Sequence, residues 1–351
     1  MQDPINLSIG QPHYDPPELL VEAACRAIRA GKNRYTVTQG LPEFNQRVLD
    51  EIAARHGARP QSCLLTAGVS GALVLSFLCL LDPGDEILLP DPGFVMYRHL
   101  ATLCGATVRY YDVYPRSPRG RFGVDLAEVE ALCSPRTKIV FVNSPSNPTG
   151  GVLTRAEIQG LCRIAERCGA YLVSDEIYDL FCYVDDYSSP VTYYDRTLLL
   201  GGFSKTYGIP GWRMGYAAGP AAVLDAMKTL QQFSFVCAPA PFQYALLEAM
   251  PAIDLAPYRE QYRHKRDLIV RELHPAYELS PPEGAFYAFP RVPAGFDGEA
   301  FLQAALEQKL LVVPGKSFST RDTHFRLSYA ADDAVLQQGL AVLNGLASRA
   351  G

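Results

Sequence analysis

Seven short runs of aliphatic or β-branched residues recur along the first two thirds of the chain: Cys63–Ala67, Glu86–Pro90, Thr107–Val113, Lys138–Asn143, Tyr171–Ser174, Thr197–Leu200 and Met214–Ala218. In Ile139-Val140-Phe141-Val142 and Leu198-Leu199-Leu200 no polar residue interrupts the run, the pattern of a strand buried on both faces. Stretches with helical spacing lie between the runs, among them Ser70–Leu81, Thr154–Cys168 and Pro220–Gln231. Thr154 and Glu157 have the spacing of a capping box that starts the second of these helices, and Gly169 is placed to stop it. Strands alternating with helices predict an α/β domain whose mostly parallel, seven-stranded sheet lies between helices.

Past about Pro251 the spacing changes to longer helical patterns, Tyr258–Leu273 and Gly298–Lys309, with a strand-like piece at Ala285–Phe289. A smaller α+β domain, completed by the first residues of the chain, is the expectation. The division is a large domain over 30–245 and a small one from 1–29 and 246–351. The Pro- and Gly-containing stretch Tyr114–Gly123 reads as an exposed excursion of the large domain.

The 351 residues suffice for two domains and a substantial core. A hydrophobic share of 48% with 20% charged residues is that of a folded globular chain. The net charge of -5 gives no basic face for nucleic acid. No segment stays apolar for a membrane-spanning length and the start lacks a signal-like pattern, so a cytoplasmic protein with a small-molecule partner is expected. The nine cysteines are scattered, with no Cys-x-x-Cys pair to suggest zinc or redox work, and no metal is expected.

The chemistry concentrates in Gly202-Phe203-Ser204-Lys205-Thr206-Tyr207-Gly208-Ile209-Pro210-Gly211-Trp212-Arg213. An amine that attacks an aldehyde needs small neighbours for close approach and nearby cations to lower its pKa. The planar guanidinium of Arg213 suits a phosphate better than an ammonium does. A lysine able to form a Schiff base, followed by an arginine able to clamp a phosphate, is what pyridoxal phosphate chemistry asks for.

This run resembles the lysine signature of the class I/II aminotransferases of fold type I. Leu7-Ser8-Ile9-Gly10-Gln11-Pro12, Asn147-Pro148-Thr149-Gly150, the pair Asp175 and Tyr178, and Phe325-Arg326-Leu327-Ser328-Tyr329 resemble the family's other signatures, in the family's order. The resemblance implies a Lys205 Schiff base with pyridoxal 5'-phosphate and an Asp175 carboxylate on the ring nitrogen. It also implies Tyr178 and Asn147 on the ring oxygen, with Phe94 stacked on the ring. The phosphate falls to Val69, Ser70, Gly71, Ser204 and Arg213, with Tyr35 reaching it from a second subunit of a homodimer. Arg326 would take the substrate α-carboxylate, with Gly10 and Asn147 beside it.

Gly202 stands where many relatives carry a phosphate-binding serine, and Ser70 where some aspartate-specific relatives carry a lysine. Tyr14, Tyr97, Phe286 and Tyr287 are candidates for an apolar side-chain pocket. The implied reaction moves an amino group from an L-amino acid to a 2-oxo acid by ping-pong kinetics. The residues leave open another reaction on the same cofactor (β-elimination, decarboxylation or oxidation) and a cofactor-binding regulatory protein. They also leave open how a dimer forms without a long N-terminal arm.

Overall fold

The computed structural model describes residues 3–350; residues 1, 2 and 351, which the expected small domain includes, lie outside them. The chain opens with β1 (Ile5–Asn6), α1 (Glu18–Arg29), α2 (Pro42–His56), β2 (Ser62–Ala67), α3 (Gly68–Leu80), β3 (Glu86–Asp91), α4 (Val95–Leu103) and β4 (Thr107–Asp112). It continues through α5 (Leu126–Leu132), β5 (Thr137–Asn143), α6 (Arg155–Cys168), β6 (Tyr171–Asp175), β7 (Thr197–Gly202), β8 (Met214–Gly219), α7 (Ala221–Gln232) and α8 (Ala240–Ala249). The last part holds α9 (Ala256–Glu272), β9 (Tyr287–Ala288), α10 (Gly298–Glu307), β10 (Leu310–Leu311), β11 (Val313–Pro314), β12 (Phe325–Ser328) and α11 (Asp333–Ala350).

The seven expected strands form one sheet in the order β2-β8-β7-β6-β5-β3-β4, with β8 antiparallel to both its neighbours and the other pairs parallel. Burial on both faces explains the uninterrupted apolar run of β5. Ile139 and Phe141 pack under α3, α4 and α7 with Leu73, Phe77 and Met227, whereas Val140 and Val142 pack under α5 and α6 with Val129, Ile158 and Leu161. Parallel pairing of β5, β6 and β7 brings their carboxyl ends to one edge, where ligands of open α/β sheets collect.

Helix α6 begins as its sequence requires: Thr154 accepts from the Glu157 backbone N–H, and the Glu157 carboxylate accepts from the Thr154 backbone N–H in return. Gly169 ends it in the left-handed region at φ 67°.

The carboxy-terminal part has its own core of Tyr262, Tyr277, Phe286, Phe301, Leu327 and Leu343, around the three-stranded sheet β11-β12-β9, and Leu7 joins it. β1 pairs in parallel with β10. Helix α1 does not join that core. It packs on α8, and its Leu20, Ala23 and Ala24 share a cluster with Phe44, Leu65 and Met214. The stretch Ala285–Phe289 is a strand only at Tyr287–Ala288, because Ala285 sits at φ 54°, off the extended conformation.

Candidate active site

Three strand ends and one helix start converge on a cavity of about 260 Å³. At one end β2 turns directly into α3, whose first N–H groups lack intrahelical partners and carry the positive end of the helix dipole. Gly68 makes this turn at φ 69°, and a Cβ there would stand 2.7 Å from an Arg213 Nη2. Glycine therefore lets the guanidinium lie against the turn, where it donates to Ala67 O at 3.3 Å and to Pro210 O at 3.0 Å. Val69, Ser70, Ser204 and Arg213 line this end. Gly71 does not line the cavity; it is buried one residue further into α3, its Cβ direction facing Ala67.

Gly202 lies under this end. A Cβ at that position would approach Ile177 Cδ1 to 2.9 Å and Val69 Cγ2 to 3.1 Å. A serine at this position has no room unless both aliphatic side chains give way.

The middle of the cavity holds Lys205 and Asp175. Lys205 Nζ donates to Gly10 O at 2.7 Å. Burial, then the guanidinium charges of Arg213 and Arg326, bring the amine down to about 8, against the pull of Asp175. Asp175, 3% exposed at the end of β6, is pushed up to about 6 by burial. Its Oδ2 accepts from the Tyr97 hydroxyl at 2.8 Å and its Oδ1 from the Ile177 N–H at 3.2 Å, and both bonds favour the charged form. Asn143 braces the strand ends: its Nδ2 donates to Asp175 O at 2.9 Å, and its Oδ1 accepts from the Asn147 N–H at 2.9 Å.

Arg326 forms the far wall, carried in by β12. It lies between the rings of Tyr287 and Phe318, 4.5 and 4.9 Å from their centroids. Its Nη1 donates to Asn147 Oδ1 at 2.9 Å and its Nη2 to Ser8 O at 2.8 Å, while the buried Nε has no partner among the described residues. A buried N–H with no acceptor calls for one from a ligand. Tyr178 shares a 3.0 Å hydrogen bond with the Tyr287 hydroxyl. A side chain on Gly10 would collide with that hydroxyl, its Cβ at 2.9 Å.

Of the expected residues, Gly10, Val69, Ser70, Phe94, Asn147, Asp175, Tyr178, Ser204, Lys205, Arg213 and Arg326 line the cavity. Tyr35 does not, and is 81% exposed. Of the side-chain candidates, Tyr97 and Tyr287 line it. Phe286 is instead buried in the carboxy-terminal core, and Tyr14 donates to Lys205 O at 2.6 Å from outside the cavity. Sequence reasoning missed the role of Tyr97 as the Asp175 donor, a contact across 78 positions with no local signal. It also missed Leu73, Ile177 and Pro210 in the lining and Asn143 behind it.

The donor set fits pyridoxal phosphate. An amine of lowered pKa and a buried carboxylate face one cavity, and hydroxyl, guanidinium and helix N–H donors cluster at one end, where the Gly68 turn leaves room. Among the described residues no helix is long and apolar enough to cross a membrane.

The profile of the family described as aminotransferase class I and II matches residues 2–343. A probable aspartate aminotransferase of Methanocaldococcus jannaschii is 35% identical over 97% of this chain and 92% of its own length. An aspartate/prephenate aminotransferase of Cereibacter sphaeroides is 37% identical over 97% and 90%. The solved structure of the aromatic aminotransferase of Pyrococcus horikoshii superposes with a TM-score of 0.93 at 27% identity, covering 99% of this chain and 96% of that one. With its strand-end lysine, buried aspartate and walled-in arginine in the family's order, the chain belongs to the class I and II aminotransferases, a family dependent on pyridoxal phosphate.

Proposed function

We propose that the cavity transfers an amino group from an L-amino acid to a 2-oxo acid, with Lys205, Asp175 and Arg326 as its working residues. The observation that carries this reading is the placement of a lysine of lowered pKa and a buried carboxylate in one cavity walled by an arginine whose Nε lacks a partner.

Pyridoxal phosphate, when bound, supplies an aldehyde that takes up amino groups and a ring that accommodates negative charge from the substrate Cα. Val69, Ser70, Ser204 and Arg213 would hold its phosphate, with Gly71 fixing the helix turn behind them. Lys205 would hold its aldehyde end, Asp175 its ring nitrogen, and Phe94 would cover the ring. Asp175, whose carboxylate Tyr97 and Ile177 steady, would favour a proton on that nitrogen. Tyr178 and Asn147 would donate to the ring oxygen from the side nearer Tyr287 and Arg326.

Arg326 orients the donor: a carboxylate against its guanidinium sets the direction of the Cα–H bond. Near neutral pH an amine with a pKa of about 8 changes protonation readily. Lys205 can therefore take a proton from Cα and return one, as a general base and then a general acid. Tyr287 and Phe318 sandwich Arg326 and restrict water around it.

We further propose a cytoplasmic homodimer in which Tyr35 reaches the partner's phosphate end. Its support is the exposure of Tyr35 at 81%, with Val37 at 62% and Phe233 at 82%, large apolar side chains that the single chain leaves uncovered. The amino-terminal contribution to the small domain is proposed to end before α1, since Leu7 joins the carboxy-terminal core whereas α1 packs on α8.

The test is a donor panel, including aspartate and neutral aromatic amino acids, against two oxo acids with the cofactor spectrum followed. Amino transfer that requires the oxo acid, and its loss in Lys205→Ala, supports the reading. Release of ammonia without an acceptor, or an unchanged Lys205→Ala variant, overturns it. Arg326→Lys should raise KM for the amino donor about tenfold or more, the worth of a bidentate guanidinium contact, while the cofactor spectrum is kept.

A further inference from the structure

A second cleft, about 330 Å³, opens away from the catalytic cavity, between the excursion after β4 and the loop that leads into β12. Tyr114, Arg116 and Arg119 line it from one side, and Glu278, Arg291, Arg321 and His324 from the other. None of these residues lines the cavity that holds Lys205.

Four guanidiniums share this cleft, and their carboxylate partners do not use all their donors. Arg321 pairs with Asp112 at 2.6 Å, Arg116 with Glu128 at 3.2 Å, and Arg291 reaches Glu278 only at 3.8 Å. Arg119 donates to Pro275 O at 3.2 Å and has no ion-pair partner among the described residues. Each guanidinium carries five N–H donors, so donors remain on every one of them. A second sign comes from His324, which is held down to about 4 by burial and then by the charges of Arg291 and Arg321. The field at the imidazole is positive despite the nearby carboxylates.

We infer that this cleft is a second, non-catalytic binding site for a small oxyanion-bearing molecule, a phosphate or carboxylate, held by Arg119 and Arg291. Four guanidiniums against the single carboxylate of Glu278 leave the lining net positive, which concentrates counter-ions, and guanidiniums match the planar or tetrahedral spread of oxyanion oxygens. The site is connected to the catalytic wall by stacked rings. His324 stacks on Phe289 at 5.2 Å and 13°, Phe289 meets Phe318 edge-on at 6.2 Å, and Phe318 covers Arg326.

The experiment titrates the cofactor-loaded enzyme with inorganic pyrophosphate and, separately, with citrate, following the histidine ring signals by NMR. His324→Gln identifies the signal of interest among the six histidines. Binding should shift the His324 signal and raise its pKa, since an anion offsets the guanidinium charge. Arg119→Gly is the safe variant, because Arg119 sits at φ 59° on the exposed loop, where glycine is unstrained. It should weaken binding about tenfold, the worth of one charge-assisted contact, with turnover in the absence of the anion unchanged. Arg291→Ala should do the same. A response to only one of the two probes identifies phosphate or carboxylate as the oxyanion read. A His324 signal unmoved by both probes, or shifts that survive both arginine variants, overturns the inference.

Discussion

Lys205 and Asp175 show how burial sets the chemistry of single side chains. Burial and two guanidiniums favour the neutral amine of Lys205, with a pKa of about 8. Reductive methylation of the apoenzyme should therefore speed up at Lys205 about tenfold per pH unit below 8 and level off above it, while exposed lysines keep rising toward 10. Peptide mapping across that range checks this; a Lys205 that follows the exposed lysines contradicts it. Asp175 behaves in the opposite sense. Its carboxyl moves from 3.8 to about 6 on folding, so between those values the folded state holds more protons than the unfolded one. Stability of the apoenzyme should fall as pH rises through that window and remain at the lower level above it. About two pKa units are worth about 3 kcal/mol, and the amide in Asp175→Asn forfeits about 1 kcal/mol of hydrogen bonding. The apo variant should then be about 2 kcal/mol more stable than the parent at pH 7.5, by urea unfolding, while its activity is lost.

At the level of elements, the most legible signals were those whose causes are local. Thr154, Glu157 and Gly169 delimit α6 by capping chemistry confined to a few neighbouring residues, and the bounds follow from it. Thr154→Ala should cost about 1 kcal/mol, read by urea unfolding, with the cofactor spectrum untouched. The strand-like run Ala285–Phe289 shows the limit of such reading: five suitable side chains yield two strand residues, because tertiary packing holds Ala285 at positive φ. Helix α1 is a similar case. Its apolar stripe was readable, but which core would cover it was not, since that is settled by α8, more than two hundred positions away.

Across the whole molecule, the catalytic cavity depends on the seam between the sheet domain and the carboxy-terminal core. Gly150, at φ 70°, accepts from the N–H groups of Glu283 and Gly284, both at 2.8 Å, and so holds the segment that delivers Tyr287 to Tyr178. A Cβ at Gly150 would stand 2.7 Å from that of Pro282. Gly150→Ala should cost about 2 kcal/mol and lower kcat/KM about tenfold by displacing Tyr287 and Arg326 together, checked by thermal unfolding and steady-state kinetics. Equal stability and activity would show that the seam does not position the wall.

By itself the sequence determined the seven strands and their alternation with helices, and its motifs pointed to Lys205, Asp175 and Arg326 through their family resemblance, because apolar periodicity and short motifs act over a few residues. The tertiary structure alone decided that Tyr97 steadies Asp175, that Gly202 has no room for a serine, and that Arg326 is held by Asn147, Ser8 and two rings with its buried Nε–H unpartnered. Those facts rest on side chains that meet across tens to hundreds of positions, and such meetings exist only once the sheet and the carboxy-terminal core have packed against each other.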